Sequence, residues 1–280
     1  MATKKVITKK FNGTGELSRY LAQAVVTKTF AYDAKRGSYN TDSDFQRWAK
    51  TATYEEADNM LLYGCKELQE KIERAGVAKT RAQLNQFTTR RKVYSSIVGF
   101  AANVPAYIAG TPNSMINVKT TKVRQKVLSF MYNTSVSASV SAERIIEATA
   151  KVVSAIMIIE ASGVRVNLYA GEAFYEYDAP DILWLCKVKE AGQRLDVLKM
   201  AYPIAHPSML RRHWFRLLET TEGVPANYCG GYGKPIDSER RCLEVLKNAG
   251  VNNIQRALCY SEVYNKTPQE IAKMLLEGVK

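Results

Sequence analysis

Chemistry in this chain can be sought first at its histidines, of which there are two, His206 and His213. They stand seven apart and could share a helix face, but no cysteine or carboxylate lies beside them at metal-ligand spacing, so structural roles are expected. Between them, Arg211 and Arg212 could grip a phosphate or carboxylate bidentately as a partner or anion contact. Such a pair also suits a solvated helix face or an internal ion pair. The five cysteines, Cys65, Cys186, Cys229, Cys242 and Cys259, form no C-x-x-C pair, and a reducing compartment with small apolar thiols is expected. Cys186 lies in the apolar run Leu183-Trp184-Leu185-Cys186, where a buried thiol is usually inert. Glu55-Glu56 falls at a helix start, where negative charge is expected for capping. No nucleophile, base and orienting group stand together, which points to a binding protein rather than an enzyme, with no cofactor.

Two further stretches carry polar chemistry. The loop Asn133 to Ser141 holds Ser135, Ser137, Ser139 and Ser141 ahead of a helix, where free backbone N–H groups attract anions. A phosphate or acidic group could sit there, or the serines could simply cap the helix and fill a tight turn. The run from Glu172 through Tyr175, Glu176 and Tyr177 to Asp178 is acidic and aromatic. It could hold a cation or a basic partner segment, or form an ordinary surface hairpin.

Charge is unevenly spread. Formal net charge is +13 over 280 residues, and most of the excess lies before residue 126. From Arg74 to Ala142 there is no Asp or Glu, while Lys79, Arg81, Arg90, Arg91, Lys92, Lys119, Lys122 and Arg124 all fall in that window. Such a field concentrates polyanions and makes binding salt-dependent, so these eight residues are the expected nucleic-acid contacts. Phe87 and Tyr94 flank Arg90-Arg91-Lys92 and could stack on bases, although tyrosines at this spacing also suit a core.

The elements that must position these residues are readable from periodicity. Leu17, Leu21 and Val25 mark a short helix; Thr53-x-x-Glu56 has capping-box form and opens a helix through Leu61, Leu62, Cys65, Leu68 and Ile72 to Gly76. Val127 to Tyr132 reads as a buried strand, Ile145 to Ile159 as a long helix ending at Gly163, and Val164 to Tyr169 as a second strand. Strand, helix, strand in this order is a βαβ unit. Leu183 to Val188 offers a third strand, Ser208 to Leu218 and Ser238 to Ala249 two helices, and Ile254 to Tyr260 a fourth strand. Thr267-Pro268-Gln269-Glu270 opens a last helix, closed by Gly278. Residues 221–236, rich in glycine and proline, read as an exposed loop. Met1 to Lys10 is basic without the apolar stretch of about 7–15 residues that a signal peptide needs, and no apolar run approaches the ~20 residues that span a bilayer. A cytoplasmic protein with no membrane partner is expected.

Tyr132-Asn133-Thr134-Ser135-Val136-Ser137, at the end of the first sheet strand and ahead of the long helix, resembles the first loop of von Willebrand factor A domains. In that family an Asp-x-Ser-x-Ser motif on this loop helps hold a divalent ion whose open position takes an acidic group of the partner. Here the register gives Asn133, Ser135 and Ser137. Asparagine in the first place removes an anionic ligand, so the resemblance implies a degenerate adhesion site, with Mg²⁺ at most weakly held. The likeness covers about residues 125–278. It implies an open, mostly parallel Rossmann-like α/β sheet over residues 125–280; residues 1–124, by their own periodicity and charge, read as a mainly helical basic region. The whole chain also resembles a group of bacteriophage-encoded proteins, through Trp48 with Tyr54-Glu55-Glu56-Ala57 and Gly64, Val104 to Pro112 with Met115, and Ala205 to Arg212. That likeness implies a phage setting and no activity.

Three readings follow from the sequence. The first is a non-catalytic protein contacting nucleic acid or an acidic partner through its basic surface. The second is a protein-interaction or assembly component that uses the sheet crevice, and the third a metal-dependent hydrolase or nuclease.

Overall fold

The computed structural model describes residues 5–26, 37–85, 93–118, 126–137, 140–175, 179–225 and 234–277. The chain divides into two compact units, Met1–Arg81 with Lys126–Lys280, and Ala82–Gln125. A boundary at residue 124, with a separate helical region before it, is therefore corrected. Residues before Arg81 belong to the sheet unit because they supply one of its strands and part of its helical cover.

That strand is β1 (Val6–Phe11), which pairs in parallel with β7 (Asp181–Lys189) along the edge of the main sheet. Its sequence, Val-Ile-Thr-Lys-Lys-Phe, buries only Phe11. Two lysines on an edge strand hinder pairing with another chain, and they also hide the strand from a hydrophobicity pattern.

Helices α1 (Thr14–Gln23) and α2 (Ser43–Ala49) follow. Leu17 and Leu21 of α1 are buried as the spacing predicts, whereas Val25 lies past the helix end and is exposed. The helix expected from Thr53 to Gly76 is interrupted. Helix α3 (Tyr54–Tyr63) ends at Gly64, α4 (Lys66–Ile72) resumes, and a π-turn over Glu73–Val77 leads into α5 (Ala78–Asn85). The Thr53 hydroxyl accepts the Glu56 N–H at 3.1 Å, while the Glu56 carboxylate accepts from Ala52 N–H rather than Thr53.

The small unit contains a three-stranded antiparallel sheet. Strands β2 (Val93–Ser96) and β3 (Ala101–Ala102) flank β4 (Met115–Val118), with the short helix α6 (Val104–Ile108) before it. No described residue of this unit is buried. Ile97, Val98, Phe100, Tyr107 and Ile108 are all exposed.

In the large unit, β5 (Val127–Asn133), α7 (Ala142–Ala161) and β6 (Arg165–Phe174) form the expected βαβ unit, with β5 and β6 parallel. Strand β7 returns antiparallel to β6, so it closes a hairpin rather than extending the parallel run. Helix α8 (Val197–Ala205) leads to a π-turn over Met209–Trp214 that continues as α9 (Phe215–Thr220). After α10 (Glu239–Asn248), β8 (Arg256–Leu258) pairs in parallel with β5; helices α11 (Tyr260–Tyr264) and α12 (Pro268–Leu276) complete the unit. Thr267 and Glu270 form the predicted reciprocal cap on α12, while Gly278 lies outside the described residues.

The sheet order is β1-β7-β6-β5-β8, three parallel pairs and one antiparallel pair. This is an α/β architecture with a mostly parallel sheet. Both faces are covered, and the alternation of side chains along each strand sorts them. Leu128, Phe130 and Tyr132 of β5, with Ile182, Trp184 and Cys186 of β7, join the larger core with α1, α3, α4, α7, α8 and α12. Met131, Leu183 and Leu185 point the other way, into a second core under α10. Among the described residues no helix is long and apolar enough to cross a membrane.

Gly64 allows the α3–α4 break. Its φ is +88°, and a Cβ there would stand 2.7 Å from both the carbonyl oxygen and Cγ of Leu198. Gly163 has φ +93° with open space around it. Gly64→Ala is thus predicted to destabilise the fold by roughly 2–4 kcal/mol and Gly163→Ala by about 1 kcal/mol, as read from urea unfolding midpoints. Equal losses would show that the close approach to Leu198 is unimportant.

Candidate ligand-binding crevice

Strands β5 and β6 run in the same direction, so their C-terminal ends open one crevice at the edge of the sheet, the usual ligand position in open α/β folds. Register pairs Asn133 with Gly171, which sets Glu172 one residue further along β6. Gly171 also leaves room for Met131, whose side-chain atoms stand 2.6–2.7 Å from where a Cβ would be.

Asn133 is fully buried and committed to the fold. Its Nδ2 donates to Ile236 O at 2.7 Å, and its Oδ1 accepts the Ser135 N–H at 3.2 Å. These two bonds direct the loop and leave the side chain turned to protein rather than to a ligand. Thr134 donates to Gly171 O at 3.1 Å and accepts from the Trp214 indole N–H at 2.9 Å. The loop is therefore pinned to β6 on one side and to the segment before α9 on the other. Ser135 is buried and Ser137 exposed. Ser141 caps α7 by accepting the Arg144 N–H at 3.4 Å, and Ser139 lies outside the described residues.

Beyond this loop is a cavity of about 210 Å³, lined by Trp48, Ser135, Val136, Ser137, Glu172, Phe174, Leu210, Arg211, Phe215 and Pro235. Glu172 is fully buried, and among the described residues neither carboxyl oxygen has a hydrogen-bond partner. Burial pushes its carboxyl up to about 8, against a weak opposing pull from the nearby Ser135 hydroxyl. Among the described residues of the lining, Glu172 and Arg211 are the ionisable side chains. Arg211 lies with its guanidinium 4.4 Å from the centre of the Trp48 ring and donates to Trp48 O; burial lowers it to about 10. A further depression near 290 Å³, beside Lys50, Glu67, Lys71, Glu143 and His206, has its central charges already joined, since Lys71 Nζ donates to Glu67 at 2.5 Å.

Arg212 departs from the expectation of a partner or anion contact. It is fully buried and donates to Thr51 Oγ1 at 2.7 Å, to Ser38 O at 2.9 Å, to Thr51 O at 2.9 Å, and to Asn40 O and Ala52 O at longer range. This fan fastens residues 38–52 to the π-turn and so helps hold Trp48 against the cavity. The histidines serve packing. The Tyr202 hydroxyl lies 3.1 Å from His213 Nδ1, and His213 Nε2 lies 3.4 Å from Asp58, which accepts from Ser18 at 2.8 Å. Burial lowers both histidines, His206 to about 4.

Of the eight basic residues singled out, Lys79 and Arg81 lie on α5. Lys79 is exposed, and Arg81 is paired with Glu73 at 2.6 Å. Arg90, Arg91, Lys92, Lys119, Lys122 and Arg124 lie outside the described residues. Of the acidic run, Glu172 sits within β6 rather than on a surface hairpin, and residues 176–178 lie outside the described residues. Among the described residues no three His, Cys, Asp or Glu side chains gather as a metal site. Cys186, Cys242 and Cys259 are buried and free, with Sγ atoms of the latter two 3.7 Å apart; Cys229 lies outside the described residues. Trp48 carries a family likeness in the sequence, but no local pattern there shows that it walls a crevice built by β5 and β6.

A buried carboxyl with a raised value binds its proton more tightly folded than unfolded. Its stabilising effect is complete below about 4.5 and is lost as pH rises towards 8. Glu172→Gln is therefore predicted to raise stability by roughly 1–4 kcal/mol at about pH 8.5 and to change little near pH 4, as read from urea midpoints across pH. A pH-independent difference would contradict this.

No curated protein and no solved structure matches the chain. One family model does, over residues 1–274, and it is described as Domain of unknown function (DUF7192). The chain belongs to that family.

Proposed function

We propose that this protein is a non-catalytic binding component, von Willebrand A-like and phage-encoded, that acts in the cytoplasm by gripping a segment of a protein partner in the crevice beyond β5 and β6. The observation that carries this reading is the cavity holding Glu172. Natural structures rarely leave a buried polar group unpaired, and such a group in a cleft marks a binding site. The order strand, helix, strand with a serine loop at the C-terminal edge supports the von Willebrand A-like assignment. Asn133, spent on Ile236 O and Ser135 N–H, favours recognition without a divalent ion. The walls of Trp48, Phe174, Leu210 and Phe215 suit an apolar stem. Selection from a random-peptide library tests the reading. Binders should shift the Trp48 indole resonance and lose about tenfold or more in affinity on Ser137→Arg, which blocks the exposed mouth. Binders that all map elsewhere would overturn it.

A second reading, nucleic-acid contact, is favoured by a different observation. Residues 82–125 carry six Lys and Arg and no acid, with Phe100, Tyr94 and Tyr107 exposed on the same unit. Cations and exposed rings within one stretch of sequence suit an unpaired strand. Gel-shift titration with single-stranded DNA and RNA should show binding that weakens steeply with salt and fails on charge reversal of Arg90, Arg91 and Lys92. Absence of binding at low salt would remove this reading.

A further inference from the structure

We propose that the crevice cavity receives a single ammonium group on an aliphatic stem, as on a lysine side chain, seated on the Glu172 carboxylate beside the Ser135 and Ser137 hydroxyls. The proposal rests on the crevice reading and adds the chemistry of what enters.

Three observations select a cation. Glu172 is wholly buried and neither oxygen has a hydrogen-bond partner among the described residues, which leaves its acceptor capacity open to a ligand. An anion entering the same space would be repelled by that carboxyl once it is ionised. The other charged group of the lining, Arg211, already donates to Trp48 O and lies on the Trp48 ring, so it is held on the wall. The remaining walls are mainly aromatic and aliphatic, which suits a methylene stem and lets the rings face a positive charge. Ser135 and Ser137 add hydroxyls that can accept from an ammonium group.

Desolvation keeps the Glu172 carboxyl protonated at neutral pH. Entry of an ammonium ion then expels that proton to the buffer: the neutral carboxyl and R–NH₃⁺ become a carboxylate–ammonium pair plus one H⁺. Among the described residues of the cavity lining, the polar and charged groups besides Glu172 are Ser135 and Ser137 from the β5 loop and Arg211 from the π-turn. Arg211 stays charged throughout this range, so the pH response belongs to Glu172.

Titration of the intact protein with n-butylammonium chloride, followed by NMR and calorimetry, tests this. Butan-1-ol serves as the neutral isostere, inorganic phosphate as the anion, and Nα-acetyl-lysinamide as the side-chain form. Both ammonium compounds should shift the Trp48 indole and the Ser135 and Ser137 amides. They should bind at least about tenfold tighter near pH 8.5 than near pH 6 and release close to one proton at the lower pH. Glu172→Gln should abolish that preference over butan-1-ol, and Glu172→Asp, which keeps a carboxylate, should retain part of it. Equal binding of alcohol and ammonium, preferential binding of phosphate, or an unchanged ammonium affinity in Glu172→Gln would overturn the proposal. Ammonium binding without any library peptide at the crevice would sink only the protein-partner reading. Peptides that bind there indifferently to Glu172→Gln would sink only this one.

Discussion

Withdrawing a carboxyl group from water without supplying a donor is among the most unfavourable local arrangements a core can contain, and in this protein the sheet imposes it on Glu172. Strand β6 is buried along its last residues because helices cover both faces of the sheet, and position 172 follows Gly171, which the β5 register fixes opposite Asn133. The carboxyl accordingly lines the space past the strand ends, held neutral by burial. The crevice follows from that one placement, because a partnered glutamate there would be a structural ion pair and the cavity merely a packing defect.

The surroundings hold this arrangement rigidly. Asn133 ties the β5 loop to Ile236 and to its own chain, and Thr134 ties it to Gly171 and Trp214. Behind the cavity wall, Arg212 donates to the carbonyls of Ser38, Asn40, Thr51 and Ala52, and Arg211 lies against Trp48. Both arginines thus work inside the protein, one as a clamp and one as a wall. The broken helix path at Gly64 belongs to the same construction, since it lets the chain meet α8 at van der Waals distance.

The parts of this design that are local in sequence are also the parts that are legible there. The βαβ unit, the Ser loop after β5 and the cap of α12 depend on periodicity and on residues three or four apart. Strand β1 escapes because an edge strand with two lysines and one buried residue leaves no alternating pattern. The break at Gly64 is masked because Leu61, Cys65 and Leu68 keep helical spacing across it. Arg212 looks like a surface cation in the sequence because its carbonyl partners Thr51 and Ser38 lie 161 and 174 residues away. Glu172 stands out in its acidic, aromatic run, but only the pairing of β5 with β6 shows that it is buried within a strand.

The most direct test is titration of the Glu172 side-chain carboxyl carbon by NMR in the intact protein, assigned by comparison with Glu172→Gln. A midpoint raised to about 8, as burial without a partner requires, supports the account. A midpoint at the ordinary glutamate value near 4.5 would mean that the carboxyl is solvated or already paired, and the crevice would lose its recognition group.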